Sequence, residues 1–338
     1  MEAEAALREQ AQGCGELGSP LYAALLERLA DDLAAGGPTA RVLRGHEHDP
    51  GPSALALRLL GSVHRLVLER RAGALAAYWP SVGGTWDDAD GTAAVLDLLA
   101  REPDLVAEWL DRPPQTNEVG RAAALVGALR HLPVAARLPV RLVELGSSGG
   151  LNLLADRLPL PEGAWRGPTP APWPGLRLVD PVGCDPHPVD VRTTQGRLTL
   201  TAYVWADQTD RLERLRHALD LAQRHPVDVR RSSARELLAE VEPREGAVTV
   251  VWHSVVWQYL DEAERRDVTA RIDDLAARAS ASAPVAHVAM EPRRRHPDAP
   301  REMLVTLRCW PGDGAEQVLG VAAPHGVPVV WERESPSP

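Results

Sequence analysis

The stretch Arg141-Leu142-Val143-Glu144-Leu145-Gly146-Ser147-Ser148-Gly149-Gly150-Leu151-Asn152-Leu153-Leu154 constrains the fold more than any other part of the chain. An apolar run at 140–145 reads as a buried parallel strand, a glycine-rich turn follows, and 151–157 reads as a helix. Strand, turn and helix in that order present unpaired helix N–H groups to an anionic or nucleotide-like ligand, and glycines let the backbone come close. Downstream the alternation continues. The spacing predicts strands at 178–184, 227–231, 248–252 and 285–290, and helices at 211–224, 234–242 and 262–279. Strands alternating with helices of this length imply βαβ units, a mostly parallel sheet and helices on both faces. A further strand is expected at 198–204. Segments 303–310 and 317–331, around the turn Pro311-Gly312-Asp313-Gly314, predict an antiparallel hairpin at the sheet edge. The proline-rich stretch 159–174 reads as an irregular surface loop.

Upstream the pattern is helical. Tyr22, Leu25, Leu26, Leu29 and Leu33 form one stripe at helical spacing, and Leu55, Leu59, Val63, Leu66 and Val67 form another. Shorter helices are expected at 91–100 and 104–110. Arg112-Pro113-Pro114 breaks the pattern. The chain therefore divides into a helical region, 1–112, and an α/β domain, 113–338, whose first helix is expected at 117–131.

Composition narrows the chemistry. A net charge of −10 argues against nucleic acid or an anionic membrane as the main partner. The chain has neither lysine nor phenylalanine, as in the coding bias of a GC-rich genome, so Schiff-base catalysis by lysine is excluded. Cys14, Cys184 and Cys309 lie far apart, which gives no disulfide framework and no structural zinc spacing. His46 and His48 form only a short pair on a loop, and no metal is expected. With no signal-peptide pattern and no run of 18 apolar residues, a cytoplasmic location is expected. Oligomeric state has no signature here.

The glycine turn fits two chemistries. Gly146-x-Ser148-x-Gly150 matches the nucleophile elbow of the α/β-hydrolases, with Ser148 as nucleophile and Asp261 with His287 or His325 to complete a triad. In that fold several strands precede the nucleophile strand, whereas 140–145 is the first strand here. A Rossmann-like reading absorbs more residues. Glu144 gives Glu-x-Gly-x-Ser-x-Gly, which resembles motif I of the S-adenosylmethionine-dependent methyltransferases, usually Asp/Glu-x-Gly-x-Gly-x-Gly. Val182-Gly183-Cys184-Asp185-Pro186-His187-Pro188 resembles the end of their second strand, and Asp185 then receives the ribose hydroxyls. Residues 248–260 resemble motif IV and bring His253 to the methyl donor, as general base or contact; the plainer reading is a strand-end histidine bonded to backbone. Ser233 stands where such enzymes often carry an aspartate near the adenine; a hydroxyl can bond the ring edge or cap the next helix.

The whole chain resembles one narrower bacterial family, domain of unknown function 2332. The resemblance rests on Pro114-Gln115-Thr116-Asn117-Glu118-Val119-Gly120-Arg121, Leu145 to Leu153, Gly183 to Asp190, Val204-Trp205-Ala206-Asp207-Gln208 with Arg211, and Pro324-His325-Gly326. It implies a methyltransferase-like Rossmann fold behind an N-terminal helical region.

Within the first of these clusters, Thr116 reads as an N-cap and Glu118 as a first-turn acid. Asn117 and Arg121, one helical turn apart, could instead face a pocket together, with Arg121 bidentate on a methionyl carboxylate. Asn152 either bonds cofactor or caps its own turn. Trp205 and Asp207 are candidates to line a substrate pocket. Arg211, Arg214 and Arg216 read as a solvated face, and Arg293-Arg294-Arg295 as a basic loop.

Together these readings point to methyl transfer from S-adenosylmethionine to a small molecule. Gly146, Ser148 and Gly150 would cradle the methionyl end with Glu144 and Asn152, and Asp185 and Ser233 would hold the nucleoside. Arg121 and His253 would serve the acceptor, lined by Asn117, Trp205 and Asp207. A non-catalytic ligand-binding or interaction protein on the same fold is the alternative, and a serine hydrolase using Ser148 the third.

Overall fold

In the computed structural model, which describes residues 2–49 and 53–333, the chain forms two units: Met1–Thr116 with Val191–Arg216, and Asn117–Asp190 with His217–Pro338. The helical unit thus includes a later segment, 191–216, that local pattern assigns to the α/β region.

The helical unit is built by apolar stripes. Helix α1 (Glu2–Glu16) buries Ala3, Leu7, Ala11 and Cys14, one residue per turn. Helix α2 (Pro20–Ala34) buries Leu21, Tyr22, Leu25, Leu26, Leu29, Ala30 and Leu33. Four more follow: α3 (Pro38–Val42), α4 (Leu55–Leu68), α5 (Asp88–Arg101) and α6 (Pro103–Ala107). The fully buried Trp79 anchors an aromatic cluster with Tyr22, His64 and Trp86. The strand expected at 198–204 is a helix instead, α8 (Thr194–Ala202), N-capped by Thr193. Its Leu-Thr alternation imitates a strand, but Thr199 and Thr201 turn their hydroxyls back to the carbonyls four residues earlier.

The second unit carries a nine-stranded sheet, counted among the described residues, in the order β2-β9-β8-β7-β6-β5-β1-β3-β4. Its strands are β1 (Val140–Leu145), β2 (Trp165–Arg166), β3 (Val182–Asp185), β4 (Asp228–Arg231), β5 (Val248–Ser254), β6 (Val285–Arg294), β7 (Arg301–Trp310), β8 (Gln317–Ala322) and β9 (Val329–Trp331). Strands β4, β3, β1, β5 and β6 are parallel, and β7, β8 and β9 continue antiparallel. The predicted closing hairpin is thus three strands. The proline-rich loop supplies β2, which pairs with β9. Strands β1 and β5 are buried almost throughout, as parallel strands covered on both faces must be.

Helix α10 (Ala234–Ala239) and α11 (Glu262–Ala276) cover one face, where Leu237, Leu238, Val268, Ile272 and Leu275 pack on Val143, Leu145, Cys184 and Val251. Helix α7 (Ala122–Arg130) is buried from Ala122 through Leu129. It begins later than the helix expected at 117–131: Asn117 and Glu118 lie ahead of a 3-10 turn, Val119–Arg121, and Glu118 rather than Thr116 supplies the cap, accepting from the Gly120 amide. Residues 151–157 form a 3-10 turn, Leu151–Leu154, rather than an α-helix. Helix α9 (Thr209–Arg224) leads to β4.

Candidate functional site

Strand order reverses between β1 and β5, and ligands of open α/β sheets bind outside the carboxyl ends of the strands at such a point. The glycine turn lies there. Gly146 has φ +68°, and a Cβ on it would lie 2.5 Å from Val256 Cγ2. Ser147 folds down onto β3, its amide and hydroxyl both donating to the Cys184 carbonyl. Gly183 makes that possible, because a Cβ there would meet Ser147 Oγ at 2.1 Å. Ser148 occupies the left-handed region at φ +53°.

Register sorts the polar groups by face. Glu144 pairs with Gly183 and Trp252, so these share one face with Asp185, while Leu145 and His253 share the α10–α11 face. On the first face Glu144 is 3% exposed, its Oε1 accepts from Trp252 Nε1 at 3.2 Å, and its Oε2 has no partner. Burial pushes its carboxyl up to about 8, against the opposing pull of Asn152, Trp252 and Arg121. Asn152 Nδ2 reaches the Glu118 carbonyl, while its Oδ1 is buried without a partner. Asn117 Oδ1 accepts from the Leu151 amide at 2.9 Å and so fixes the start of the turn after the glycines. Arg121 lies across the carboxyl end of β5, donating to the Ser254 carbonyl at 3.3 Å and the Pro324 carbonyl at 3.4 Å.

Asp185 is engaged by backbone. Its Oδ2 accepts from the Ser148 amide at 3.0 Å and its Oδ1 from the His187 amide at 2.8 Å. The strand-end acid therefore clamps the glycine turn to the 185–189 loop, which is further tied by the Val189 amide on the Ser148 carbonyl. Each carboxylate oxygen keeps lone-pair capacity for a second donor.

The structure thus brings together Asn117, Arg121, Glu144, Gly146, Ser148, Gly150, Asn152 and Asp185. Other candidates have different work. Ser233 caps α10 in a reciprocal capping box with Glu236. Trp205 and Asp207 belong to the helical unit: Trp205 stacks on Tyr22, and Asp207 accepts from the Ser19 hydroxyl at 2.6 Å and the Leu21 amide at 3.1 Å, holding the start of α2. His253 faces the α10–α11 side, with Nδ1 2.7 Å from Glu291 Oε1 and Nε2 3.0 Å from His287 Nε2. Of the residues named for a triad, Asp261 caps α11 and His287 is paired with His253.

Glu291 and His287 are the polar groups that local pattern missed. Their only signal is the strand register, which sets His287 opposite Val251 and Ala289 opposite His253. In the basic run at 293–295, Arg293 pairs with Glu316 and Arg295 with Glu302 and Glu332, while Arg294 donates to the Ala299 carbonyl. An open depression at the amino ends of the strands, lined by Arg141, Asp180, Asp228, Arg230 and Arg244, is likewise ion-paired, Arg244 with Asp180 and Arg230 with Asp228 and Glu240. Among the described residues no three His, Cys, Asp or Glu side chains could hold a metal, and no helix is long and apolar enough to cross a membrane. In the helical unit His46 pairs with Asp49 and His48 with Glu2.

No curated protein and no solved structure matches the chain. A family model described as an uncharacterized protein conserved in bacteria (DUF2332) matches residues 4–331, and the chain belongs to that family.

Proposed function

We propose that the second unit is a methyltransferase-like Rossmann domain that binds S-adenosylmethionine and transfers its methyl group to a small molecule. The observation that carries this reading is the coincidence of the glycine turn with the strand-order reversal between β1 and β5. In chain order the five parallel strands run 3-2-1-4-5, as in dinucleotide-binding sheets, with antiparallel β7 in the next place.

The residues fit such a ligand. Glu144 Oε2, which carries the proton of the buried acid, and Asn152 Oδ1 are buried polar atoms without partners, a donor and an acceptor that a ligand's polar groups would meet. Arg121, already at the mouth of the turn, suits a carboxylate, and Asp185 has capacity left for ribose hydroxyls. S-adenosylmethionine, when bound, supplies an electrophilic methyl group on sulfonium. The chain's task is then to hold the donor and align the acceptor, which by itself lowers the barrier. Ser233, Trp205 and Asp207 drop out of this assignment, since each is committed to capping or to the helical core. A ligand-binding protein without turnover is the second reading, favoured by the engagement of Asp185 with the protein's own amides.

Calorimetric titration with S-adenosylmethionine and S-adenosylhomocysteine tests the proposal, using wild type, Asp185→Asn and Arg121→Gln, each checked for folding by circular dichroism. Micromolar binding to wild type, weakened at least ~10-fold in both variants, is expected, each lost charge-assisted bond being worth about 1.5–3 kcal/mol. A folded wild type that binds neither compound overturns it. Turnover of any methyl acceptor then separates an enzyme from a sensor.

A further inference from the structure

Two buried polar groups left outside the proposed methyl transfer, His253 of β5 and Glu291 of β6, meet on the α10–α11 face. Glu291 is 3% exposed, and one of its oxygens, Oε1, takes His253 Nδ1 at 2.7 Å and the Val256 and Trp257 amides at 2.9 and 3.4 Å. Three donors on one oxygen make it an acceptor, so His253 must carry its hydrogen on Nδ1. The lone pair of His253 is then on Nε2. Its 3.0 Å contact with His287 Nε2 therefore has His287 as donor, which leaves the lone pair of His287 on Nδ1. One carboxylate sets the tautomers of two imidazoles.

The surroundings give this chain a direction. Trp257 stacks on His253 with ring centroids 4.7 Å apart and fixes its plane. Arg293 on β6 and Arg308 on β7 face His287, and both oppose a positive charge there, while burial lowers its proton affinity well below the usual imidazole range. Those guanidiniums are tied to Glu316 and to Asp273 of α11, and Arg265 of α11 donates to the Trp257 carbonyl. The carboxylate that touches an imidazole directly, Glu291, lies at the other end, against His253. Of the three side chains, His287 is the one that is only partly buried.

We propose that Glu291, His253 and His287 form a proton relay, with His287 Nδ1 as the accepting end and His253 as the place where the positive charge is stored. An acidic X–H group, a water or a small-molecule hydroxyl, gives its proton to His287 Nδ1. The proton on His287 Nε2 passes to His253 Nε2. X leaves with the electron pair, His287 ends neutral in its other tautomer, and His253 becomes an imidazolium bonded to Glu291 through Nδ1. Total charge is unchanged. The relay is a proton-accepting site of its own, on the face opposite Glu144 and Asp185, and stands independently of methyl-donor binding.

The test is nitrogen-15 spectroscopy of the histidine rings from about pH 4 to 9, a range spanning ordinary imidazole titration. It uses the full chain without added ligand, with signals assigned through His287→Asn. As pH falls, the expected result is an imidazolium at His253 and, at the same midpoint, a switch of neutral His287 from Nε2–H to Nδ1–H. In Glu291→Gln the His253 ring is no longer held in one tautomer, because the amide can turn either its oxygen or its N–H toward Nδ1. An imidazolium at His287, a His287 tautomer that stays fixed while His253 titrates, or no titration of either ring would each overturn the relay. If Glu291→Gln does not fold, the wild-type tautomers decide.

Discussion

Replacing Glu144 by Gln should make the protein more stable at alkaline pH, not less. The carboxyl is pushed from 4.5 up to about 8 by burial, so the folded state keeps a proton that the unfolded chain has released. Between these limits the folded state binds more protons, and stability falls as pH rises; below 4.5 the effect is absent, and above 8 it is complete. At 1.36 kcal/mol per unit the full shift sets a ceiling of about 5 kcal/mol, and relaxation around the charged form brings ~2 kcal/mol within reach. Glutamine keeps an acceptor for Trp252 Nε1 and, like the protonated acid, is neutral. Urea unfolding of both proteins at about pH 5 and pH 8.5, the two sides of that window, is the assay. Relative to Glu144→Gln, wild type should lose stability across the interval, and the difference should vanish at the acid end; the pH dependence from His64 is common to both and cancels. Parallel curves, or a variant less stable than wild type at pH 8.5, would refute the claim that Glu144 is buried as a neutral acid.

Other consequences can be measured alongside. Gly146→Ala forces a side chain into the left-handed region and against Val256, and should lose about 1–3 kcal/mol; adding Val256→Ala should recover part of it, and strictly additive losses would show that the two do not touch. Asp207→Ala removes the acceptor of the Ser19 hydroxyl and the Leu21 amide, and should lower thermal stability by ~1–2 kcal/mol; no loss in a thermal melt would show that these bonds do not hold the start of α2. His64, buried between the Ala202 carbonyl and the Ser81 hydroxyl, is held neutral by burial down to about 4. Its contribution is therefore intact above 6.5 and lost as pH falls toward 4, a decline that His64→Gln should flatten in acid-unfolding curves.

What could be read from the chain, and what could not, divides by the range of the signal. The strand, glycine turn and downstream acid were readable because Glu144, Gly146 and Asp185 follow local patterns of burial and backbone conformation. So were the parallel strands, whose apolar runs survive burial on both faces. Thr199 and Thr201 misled, since β-branching and alternation suggest a strand while back-bonded hydroxyls sit comfortably in α8. Asn117 and Arg121 share a cluster for a reason other than helical spacing: one pins the Leu151 amide and the other reaches the Ser254 and Pro324 carbonyls. Trp205 and Asp207 sit on the return of the chain into the helical unit, which no local pattern announces. Glu291 and His287 become partners of His253 only through the register of β5 with β6.

That return, 191–216, bears on how the protein is made. Tyr22 and the start of α2 are completed by Trp205 and Asp207, which leave the ribosome about 90 residues after Thr116. At ordinary bacterial elongation rates that delay is on the order of 5–20 s. Throughout it the nascent helices carry an uncovered aromatic surface, and β1 and β3 emerge before the first unit has its last pieces. The helical unit cannot finish first and wait. A fragment ending at Thr116 would reproduce that intermediate permanently.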